Sequence, residues 1–584
     1  MTAGGGSVGS APATATGPAA WAAGTATTRD LLERRAEDHK TGLLFEGASW
    51  TWAEFVAECR ARAHLLLALR DPERPFHVGV MLENHPEYLF HIGAAAYAGA
   101  TAVGVNLTRT GADRARDVRN ADCQILITDA ERRAEIDGHD HGVEERRIVD
   151  VADPAFLAAV DGARSLPGPD VASAADPATR LLLLFTSGST GDPKAVICST
   201  GRLAAAALFH MGIGREDVSY NAMPLFHGNA ILACWANPLA TGGTFALARR
   251  FSASGFVDDL LATGATFFNY VGRSLAYVLA QPERPEERRT RLRACFGTEA
   301  SERDRAEFER RFGVRPTESY GSSEGGVVIR MTDDTPPGAL GVPPAGMRVE
   351  VVDPATLEPC PRARFDDDGR LLNAGEAIGE FANPDGAPGF EGYYRNPAAT
   401  AERIRGSLYL TGDLGYRDEA GFFYFAGRGA DRLRVDSENF SAAPIERILG
   451  RHPGVRLAAV FPVPDAATGD QVMAVLQVDD PGAFDPGGFA RFLAAQPDLA
   501  GKWAPRYVRV TDAVPVTATR KIDKKALRAP LWEVPGVLLR PGREVEYRPL
   551  TGADRAAIRA EFAANGRSAL VPDGGADDPG WTRN

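Results

Sequence analysis

Residues 181–196 read LLLLFTSGSTGDPKAV, an apolar run followed by a loop of small and hydroxylated residues that closes with a lysine. Gly188 and Gly191 allow a ligand to approach the backbone closely. The hydroxyl groups between them and the charge of Lys194 add hydrogen-bond donors. Such a loop suits a polyphosphate.

The loop differs from a Walker A motif in spacing and context. A Walker A motif has four residues between its glycine and the GK pair and leads directly into a helix. Here Lys194 is followed by AVICS, which is typical of a strand. A plain Ser/Gly-rich hairpin explains the glycines but not the hydroxyl cluster that ends in lysine. We therefore predict a phosphate-binding loop that joins two strands.

The composition is that of a folded, enzyme-sized protein with more than one domain: 584 residues, 44% hydrophobic and 24% charged. A net charge of -12 argues against a broad nucleic-acid surface. The uncharged stretch 88–107 predicts a helix packed on a buried strand, not a transmembrane segment. Six cysteines scattered singly predict buried thiols in a reducing compartment, so we expect a cytoplasmic protein.

Alternating periodicities predict the fold class. From about residue 28 to 271, amphipathic helical stretches alternate with short apolar runs, which indicates an α/β domain with largely parallel sheets. Residues 341–427 contain many Gly, Pro and Asp between short strand patterns, which indicates a β-rich subdomain. The helix and strand pattern then returns in a smaller α/β unit.

We therefore predict a large N-terminal domain of α/β subdomains plus a β-rich subdomain, and a small mobile α/β C-terminal domain. The predicted divisions are a flexible tail (1–27), the large domain (28–427), the small domain (428–543) after a hinge near 429–430, and a loosely held tail (544–584).

TSGSTGDPK resembles the phosphate-loop signature of the adenylate-forming (ANL) superfamily, which includes acyl-CoA synthetases, luciferases and peptide-synthetase adenylation domains. The further stretches that resemble its motifs follow in the expected order: MPLFHGNA (223–230), ESYGSSEGG (318–326), YLTGDLGY (409–416) and PVTATRKIDKKALR (515–528). The resemblance spans about residues 28–528. NYVGRSLAYVLAQP (269–282) and RVDSENFSAAPIE (434–446) are most similar to fatty-acid-transport-protein-like acyl-CoA ligases.

The resemblance implies a role for each matching residue. The implied catalytic positions are Lys521, as the mobile catalytic lysine, with His227 and Arg520. Tyr320 would stack near adenine, Asp413 would bind the ribose hydroxyls with Arg428, and Glu324 would hold Mg²⁺ on the ATP phosphates. The other implied nucleotide contacts are Thr186, Ser187, Gly188, Ser189, Thr190, Gly191, Lys194, Gly297, Thr298, Glu299, Ser319, Gly321, Ser322 and Ser323. The implied acyl pocket comprises His227, Asn269, Tyr270, Val271, Gly272 and Ala300, and the implied hinge and CoA tunnel comprise Gly429, Ala430, Ser437, Glu438 and Asn439.

The implied reaction joins a hydrophobic carboxylic acid to CoA. The carboxylate attacks the α-phosphorus of ATP to give acyl-adenylate and pyrophosphate, and the CoA thiol then displaces AMP. In the family the small domain rotates between the two steps. The resemblance thus implies ATP, Mg²⁺ and CoA, with no nucleic-acid partner, and leaves the oligomeric state open, a homodimer being one option.

Two positions depart from the family pattern. Arg520 stands where glycine commonly precedes the lysine, and a bulky cation there could weaken adenylation. Ser437 replaces a glycine that borders the pantetheine tunnel in many relatives. Three alternatives stay open: a thioesterification-only enzyme that uses preformed acyl-AMP, an acyl-AMP ligase that loads a carrier protein, and a non-catalytic nucleotide- or acyl-binding protein.

GSSEG, at residues 321–325, also fits the GxSxG nucleophile elbow of α/β-hydrolases, with Ser323 as nucleophile. An elbow requires a helix directly after the serine. Here GGVVIRM is typical of a strand, and the only later histidine, His452, lies in the predicted small domain. We therefore predict that Ser323 is not a nucleophile.

Overall fold

A computed structural model describes residues 26–109, 111–186, 193–208, 212–271, 273–298, 300, 302–366, 371–386, 389–428, 432–435, 438–466, 470–496, 499, 503–516, 522–542 and 546–571. Within these ranges no helix is both long enough and apolar enough to cross a membrane. The stretch 88–107 instead contributes to a buried helix and the strand that follows it, as predicted.

The first half of the chain alternates strands and helices. Its strands are β1 (Thr41–Phe45), β2 (Ala48–Thr51), β3 (His77–Met81), β4 (Thr101–Gly104), β5 (Cys123–Thr128), β6 (Ile148–Asp150), β7 (Arg180–Thr186), β8 (Lys194–Ser199), β9 (Val218–Asn221), β10 (Thr244–Leu247), β11 (Phe267–Val271), β12 (Ala294–Thr298), β13 (Thr317–Tyr320) and β14 (Ile329–Arg330). Its helices are α1 (Thr28–Glu33), α2 (Trp52–Leu69), α3 (Pro86–Ala98), α4 (Gly111–Asn120), α5 (Ala130–Ala134), α6 (Pro154–Ala163), α7 (Thr200–Leu208), α8 (Ala236–Thr241), α9 (Phe256–Thr263), α10 (Arg273–Leu279) and α11 (Glu302–Phe312), with a π-helical stretch at Asn229–Trp235.

Two sheets organise this half. One has the order β14-β13-β12-β11-β9-β10-β1-β2 and the other β6-β5-β3-β4-β7-β8. Pairing is parallel except for β2, β8 and β14, which pair antiparallel at the edges. One apolar core contains residues of both sheets and of α2 and α3. The predicted α/β domain with largely parallel sheets is confirmed.

The predicted strand-to-strand loop is also confirmed. β7 and β8 pair antiparallel, with Thr186 opposite Lys194. No helix follows Lys194, because β8 continues from it into the six-stranded sheet.

A smaller sheet follows in the region predicted to be β-rich. Its strands are β15 (Glu350–Val352), β16 (Gly379–Asn383), β17 (Ile404–Arg405), β18 (Leu408–Arg417) and β19 (Phe423–Arg428), in the order β15-β16-β18-β17 with β19 on β18. The helices here are α12 (Ala374–Ala377) and α13 (Pro397–Arg403). α13 leads directly into β17 and contacts β18, which brings it to the edge of the cleft described below.

The C-terminal part forms a separate core. It contains β20 (Arg432–Val435), β21 (Glu438–Ser441), α14 (Ala442–Leu449), β22 (Leu457–Pro464), β23 (Asp470–Gln477), α15 (Pro486–Ala494), β24 (Tyr507–Thr511), α16 (Lys524–Arg528), β25 (Val537–Leu539), β26 (Arg548–Pro549) and α17 (Gly552–Ala564). The strands β22 to β26 form one sheet in chain order. The exact domain divisions stay a prediction.

The segment after Glu544 was expected to be loosely held, and for residues 546–571 the structure corrects this. β26 pairs with β25, and Ile558 and Phe562 of α17 are buried in a cluster with Trp532. These two residues are four apart and therefore share one face of the helix. This spacing and the Thr551–Asp554 capping box indicate a packed helix. A prediction from the polar composition of the tail alone does not take them into account.

We expect Phe562→Ala to loosen this helix. The Phe562 side chain is 2% exposed, and its ring centroid lies 5.9 Å from that of Trp532. Truncating a buried phenylalanine costs about 3–5 kcal/mol, so amide hydrogen exchange across α17 should accelerate by roughly 100-fold or more. Hydrogen-exchange mass spectrometry measures this. Phe562→Leu should have a much smaller effect, and unchanged protection in the alanine variant would contradict the packing.

Candidate active site

A large cleft opens where the parallel strands end. Thr186, Thr298 and Tyr320 line it from the carboxyl ends of β7, β12 and β13, and Asn269 lines it from the middle of β11. Ligands of open α/β sheets bind at this edge because the loops that follow the strands converge there. Residues of α14 and α16 line the other side. The sequence motifs therefore meet in one cleft although they are far apart in the chain.

Lys194, which the resemblance assigns to the ATP phosphates, lines one end of the cleft. Its Nζ lies 3.7 Å from Glu402 Oε2 and 5.4 Å from the ring centroid of Tyr393. Thr186 lies at the same end. The remaining predicted loop contacts, Ser187, Gly188, Ser189, Thr190 and Gly191, lie outside the described residues.

Asp413 and Tyr320 form a direct contact. The Tyr320 hydroxyl donates to Asp413 Oδ2 at 2.7 Å, and its ring packs edge-on against Phe381 with centroids 5.2 Å apart. Burial, with the Asp413 charge second, raises the pKa of Tyr320 well above its ordinary value, so the hydroxyl stays protonated. β18 places Asp413 opposite Arg428 of β19. The residues predicted to bind the nucleoside are thus adjacent.

The turn that carries Asp413 is held from two sides. Gly412 has a φ of +78°, a left-handed conformation that favours glycine, and a Cβ there would require the Arg403 guanidinium to move. Its amide donates to Glu380 Oε1 at 2.5 Å. Burial raises the pKa of Glu380 above its ordinary value.

Glu324 is a buried carboxylate at the cleft wall, 8% exposed. The Tyr393 hydroxyl donates a hydrogen bond to Glu324 Oε1 at 2.8 Å. Burial, with the Glu324 charge second, raises the pKa of Tyr393 to about 12. Within the described part of the chain no cluster of three or more His, Cys, Asp or Glu is placed to bind a metal. A lone carboxylate still fits Mg²⁺, which is commonly bound through one or two carboxylates plus substrate phosphates.

The hydrolase interpretation is excluded by local structure. Residues 323 and 324 form a turn, and the chain continues to β14, not into a helix. Ser323 and Gly228 are close neighbours, since a Cβ on Gly228 would lie 3.3 Å from Ser323 Oγ.

We call the part of the cleft lined by His227, Asn269 and Ala300 the acyl side, because the resemblance assigns these residues to the acyl pocket. Asn269 Nδ2 donates to Asn229 Oδ1 at 3.0 Å. Ala300 N donates to Glu318 Oε1 at 2.6 Å, which holds the chain beyond β12 against the wall. The His227 and Phe226 ring centroids lie 4.5 Å apart.

Two predicted lining residues face elsewhere. Tyr270 is fully buried in the core behind β11, and its hydroxyl donates to Glu318 Oε1 at 3.3 Å. Gly297 lies opposite it on β12, and a Cβ there would overlap the Tyr270 ring. Successive side chains of a strand point to opposite faces. Asn269 can therefore face the cleft only if Tyr270 does not.

The remaining predicted site residues fall into three groups: those that line the cleft, those placed only on a strand, and those outside the described residues. Ser319, Gly321, Ser322 and Thr298 line the cleft. Val271 lies on β11 beside Thr298, and Glu438 and Asn439 lie on β21. The predicted residues outside the described residues are Gly272, Glu299, Gly429, Ala430, Ser437, Arg520 and Lys521.

Three residues of this site were missed by sequence reasoning: Glu380, Tyr393 and Arg403. They come from parts of the β-rich region outside its one assigned motif, YLTGDLGY (409–416). Arg403 Nε lies 3.4 Å from the Tyr393 hydroxyl, and both side chains line the cleft. A tyrosine, an arginine and a glutamate among Gly and Pro are the only sequence signal, and it is too common to interpret alone.

Comparisons with known proteins agree with this geometry. Residues 32–380 match the family described as AMP-binding enzyme, and residues 444–521 match the AMP-binding enzyme C-terminal domain. A steroid-22-oyl-CoA synthetase of Rhodococcus jostii is 50% identical over 94% of this chain and 99% of its own length. A medium/long-chain-fatty-acid–CoA ligase, FadD17 of Mycobacterium marinum, is 42% identical over 87% of this chain and 98% of its own length. ATP-bound MatB from Rhodopseudomonas palustris superimposes with a TM-score of 0.74 at 25% identity, covering 86% and 98% of the two chains.

Proposed function

The chain belongs to the AMP-binding enzyme family and is an AMP-forming acyl-CoA ligase, and from this premise we propose that its acid is a polycyclic, steroid-like carboxylic acid. The observation that carries the proposal is the 50% identity, over nearly the full length of both chains, to a steroid-22-oyl-CoA synthetase. The relative named for medium- and long-chain fatty acids is more distant, at 42%.

The acyl side of the cleft supports a broad substrate. Its wall contains residues with little or no side chain, Gly228, Ala233, Ala276 and Ala280, and two larger side chains, Leu232 and Tyr277. Short side chains leave width, and apolar ones favour burial of a hydrocarbon skeleton. A fused-ring acid therefore suits this wall.

The residues around the nucleotide have separable tasks in this proposal. Asp413 accepts hydrogen bonds from the ribose hydroxyls, and Tyr320 packs beside the adenine. Lys194 offsets the charge of the outer phosphates, and the loop hydroxyls donate hydrogen bonds to them. Glu324 would hold Mg²⁺, which supplies positive charge to the phosphoryl oxygens. Lys521 would stabilise the charge that develops at the α-phosphoryl group.

The test is a panel of acids assayed for CoA-thioester formation with ATP. We expect kcat/KM for a steroid with a carboxylated side chain to exceed that for a C8 to C16 fatty acid by roughly 100-fold. A difference of several ring carbons in apolar burial is worth that much or more, at about 0.8 kcal/mol per buried CH₂. A preference for straight-chain acids would overturn the substrate assignment while leaving the ligase activity intact. Replacing CoA with a phosphopantetheinylated carrier protein in the same assay tests the acceptor.

A further inference from the structure

We infer that Tyr393 is a positioning residue that selects which oxygen of Glu324 faces the metal and couples that carboxylate to Lys194 of the phosphate loop. The inference rests on the proposed role of Glu324 toward Mg²⁺. It assigns a function to a residue that lies outside the recognised motifs.

The hydroxyl of Tyr393 forms a directional link. It donates to Glu324 Oε1 at 2.8 Å, and Arg403 Nε donates to it at 3.4 Å. A phenol hydroxyl donates one hydrogen bond, which here goes to Glu324. Its oxygen lone pairs are left to accept the hydrogen bond from Arg403. Because Oε1 is engaged, Oε2 is the oxygen left to bind a cation. Burial of both partners, 4% exposed for Tyr393 and 8% for Glu324, keeps water from competing.

The ring of Tyr393 supports Lys194. The ammonium lies 5.4 Å from the ring centroid, within the range of a cation–π contact. The metal carboxylate and the phosphate-binding cation therefore share one aromatic side chain, and a shift of the ring would move both.

The backbone around Tyr393 is anchored so that the ring cannot drift. Tyr393 bridges Val196 of β8, and the next amide, of Tyr394, donates to Ala195 O at 2.8 Å. The Tyr393 amide donates to Thr400 Oγ1 of α13 at 3.0 Å. The strand that begins at Lys194 thus holds the residue that orients Glu324.

The experiment uses the full-length chain and follows thermal stability with AMP and with ATP over a range of Mg²⁺ concentrations. Tyr393→Phe removes only the hydroxyl. Outer-shell partners of metal ligands contribute 10- to 100-fold to metal affinity, so we expect the Mg²⁺ concentration for half-maximal stabilisation by ATP to rise about 10-fold or more. Stabilisation by AMP, which lacks the outer phosphates, should be unchanged.

Tyr394→Phe is the matched control. Its hydroxyl also donates to a carboxylate at 2.8 Å, but to Asp122, away from the cleft. This variant should keep the Mg²⁺ requirement of the wild type. In Glu324→Gln, adding Tyr393→Phe should change the Mg²⁺ requirement no further, because the two residues act through one bond.

A Mg²⁺ requirement in Tyr393→Phe equal to that of the wild type would overturn the inference. Tyr393→Leu, which also removes the ring, should additionally weaken ATP binding at saturating Mg²⁺, and failure to do so would overturn the link to Lys194. The proposed nucleotide site fails separately, if neither AMP nor ATP stabilises the wild type.

Discussion

Lys521→Ala is expected to lower the rate of ATP–pyrophosphate exchange by about 10²- to 10³-fold, the usual cost of removing one group that stabilises charge in a transition state. Lys521 lies outside the described residues, but the chain on both sides of it is placed. Val516 bridges Ile522, and Asp523 N donates to Pro515 O at 3.0 Å. Thioester formation from synthetic acyl-AMP should change only a few-fold, because in the proposed mechanism rotation of the small domain withdraws this lysine before the thiol displaces AMP.

The matched control is Lys525→Ala. Lys525 is an exposed lysine on α16 that also borders the cleft, so this variant removes the same charge close by, and exchange should fall by less than 10-fold, far less than in Lys521→Ala. Exchange that survives Lys521→Ala would remove the lysine from adenylation.

The wild-type exchange rate also decides the meaning of Arg520. Robust exchange excludes an enzyme restricted to thioesterification. Absent exchange, with thioester still formed from acyl-AMP and exchange appearing in Arg520→Gly, would show that Arg520 blocks adenylation.

Asp413→Asn is expected to raise the KM for ATP by roughly 100-fold. A hydrogen bond to a charged group is worth about 1.5–3 kcal/mol, and the ribose presents two hydroxyls to this carboxylate in the proposed mode. In the wild type the Tyr320 hydroxyl donates a hydrogen bond to Asp413 Oδ2 at 2.7 Å. The amide oxygen of the variant can still accept this hydrogen bond, so the turn should keep its fold. Initial rates of thioester formation against ATP concentration measure the effect, and the KM for the acid should stay nearly constant.

Tyr320→Phe distinguishes ribose binding by Asp413 from a role of Asp413 in positioning Tyr320. It removes the bond to Asp413 but leaves the carboxylate and the ring, so the KM for ATP should rise less than 10-fold, as the loss of one intramolecular hydrogen bond predicts. An equal loss in both variants would mean that Asp413 acts mainly by holding Tyr320. An unchanged KM for ATP in Asp413→Asn would contradict the ribose assignment.

Much of the fold follows from local patterns. The apolar runs that became β3, β5 and β11 are short and alternate with helices, and this alternation predicts parallel sheets packed against helices. The motifs could be located for the same reason, since each depends on residue types at fixed spacing along one loop. The tail helix α17 was missed because only two buried residues, Ile558 and Phe562, distinguish it from a polar surface segment.

The sequence by itself determined the fold class, the family and the positions of Lys194, Glu324 and Asp413 in their motifs. Only the tertiary structure decided that Asn269 faces the cleft while Tyr270 is buried behind it, because a period of two does not say which face is the core. It also decided that Tyr393 meets Glu324, 69 residues away, at 2.8 Å. Such contacts depend on how separate sheets pack, and packing is set by the whole core and not by any local run of residues.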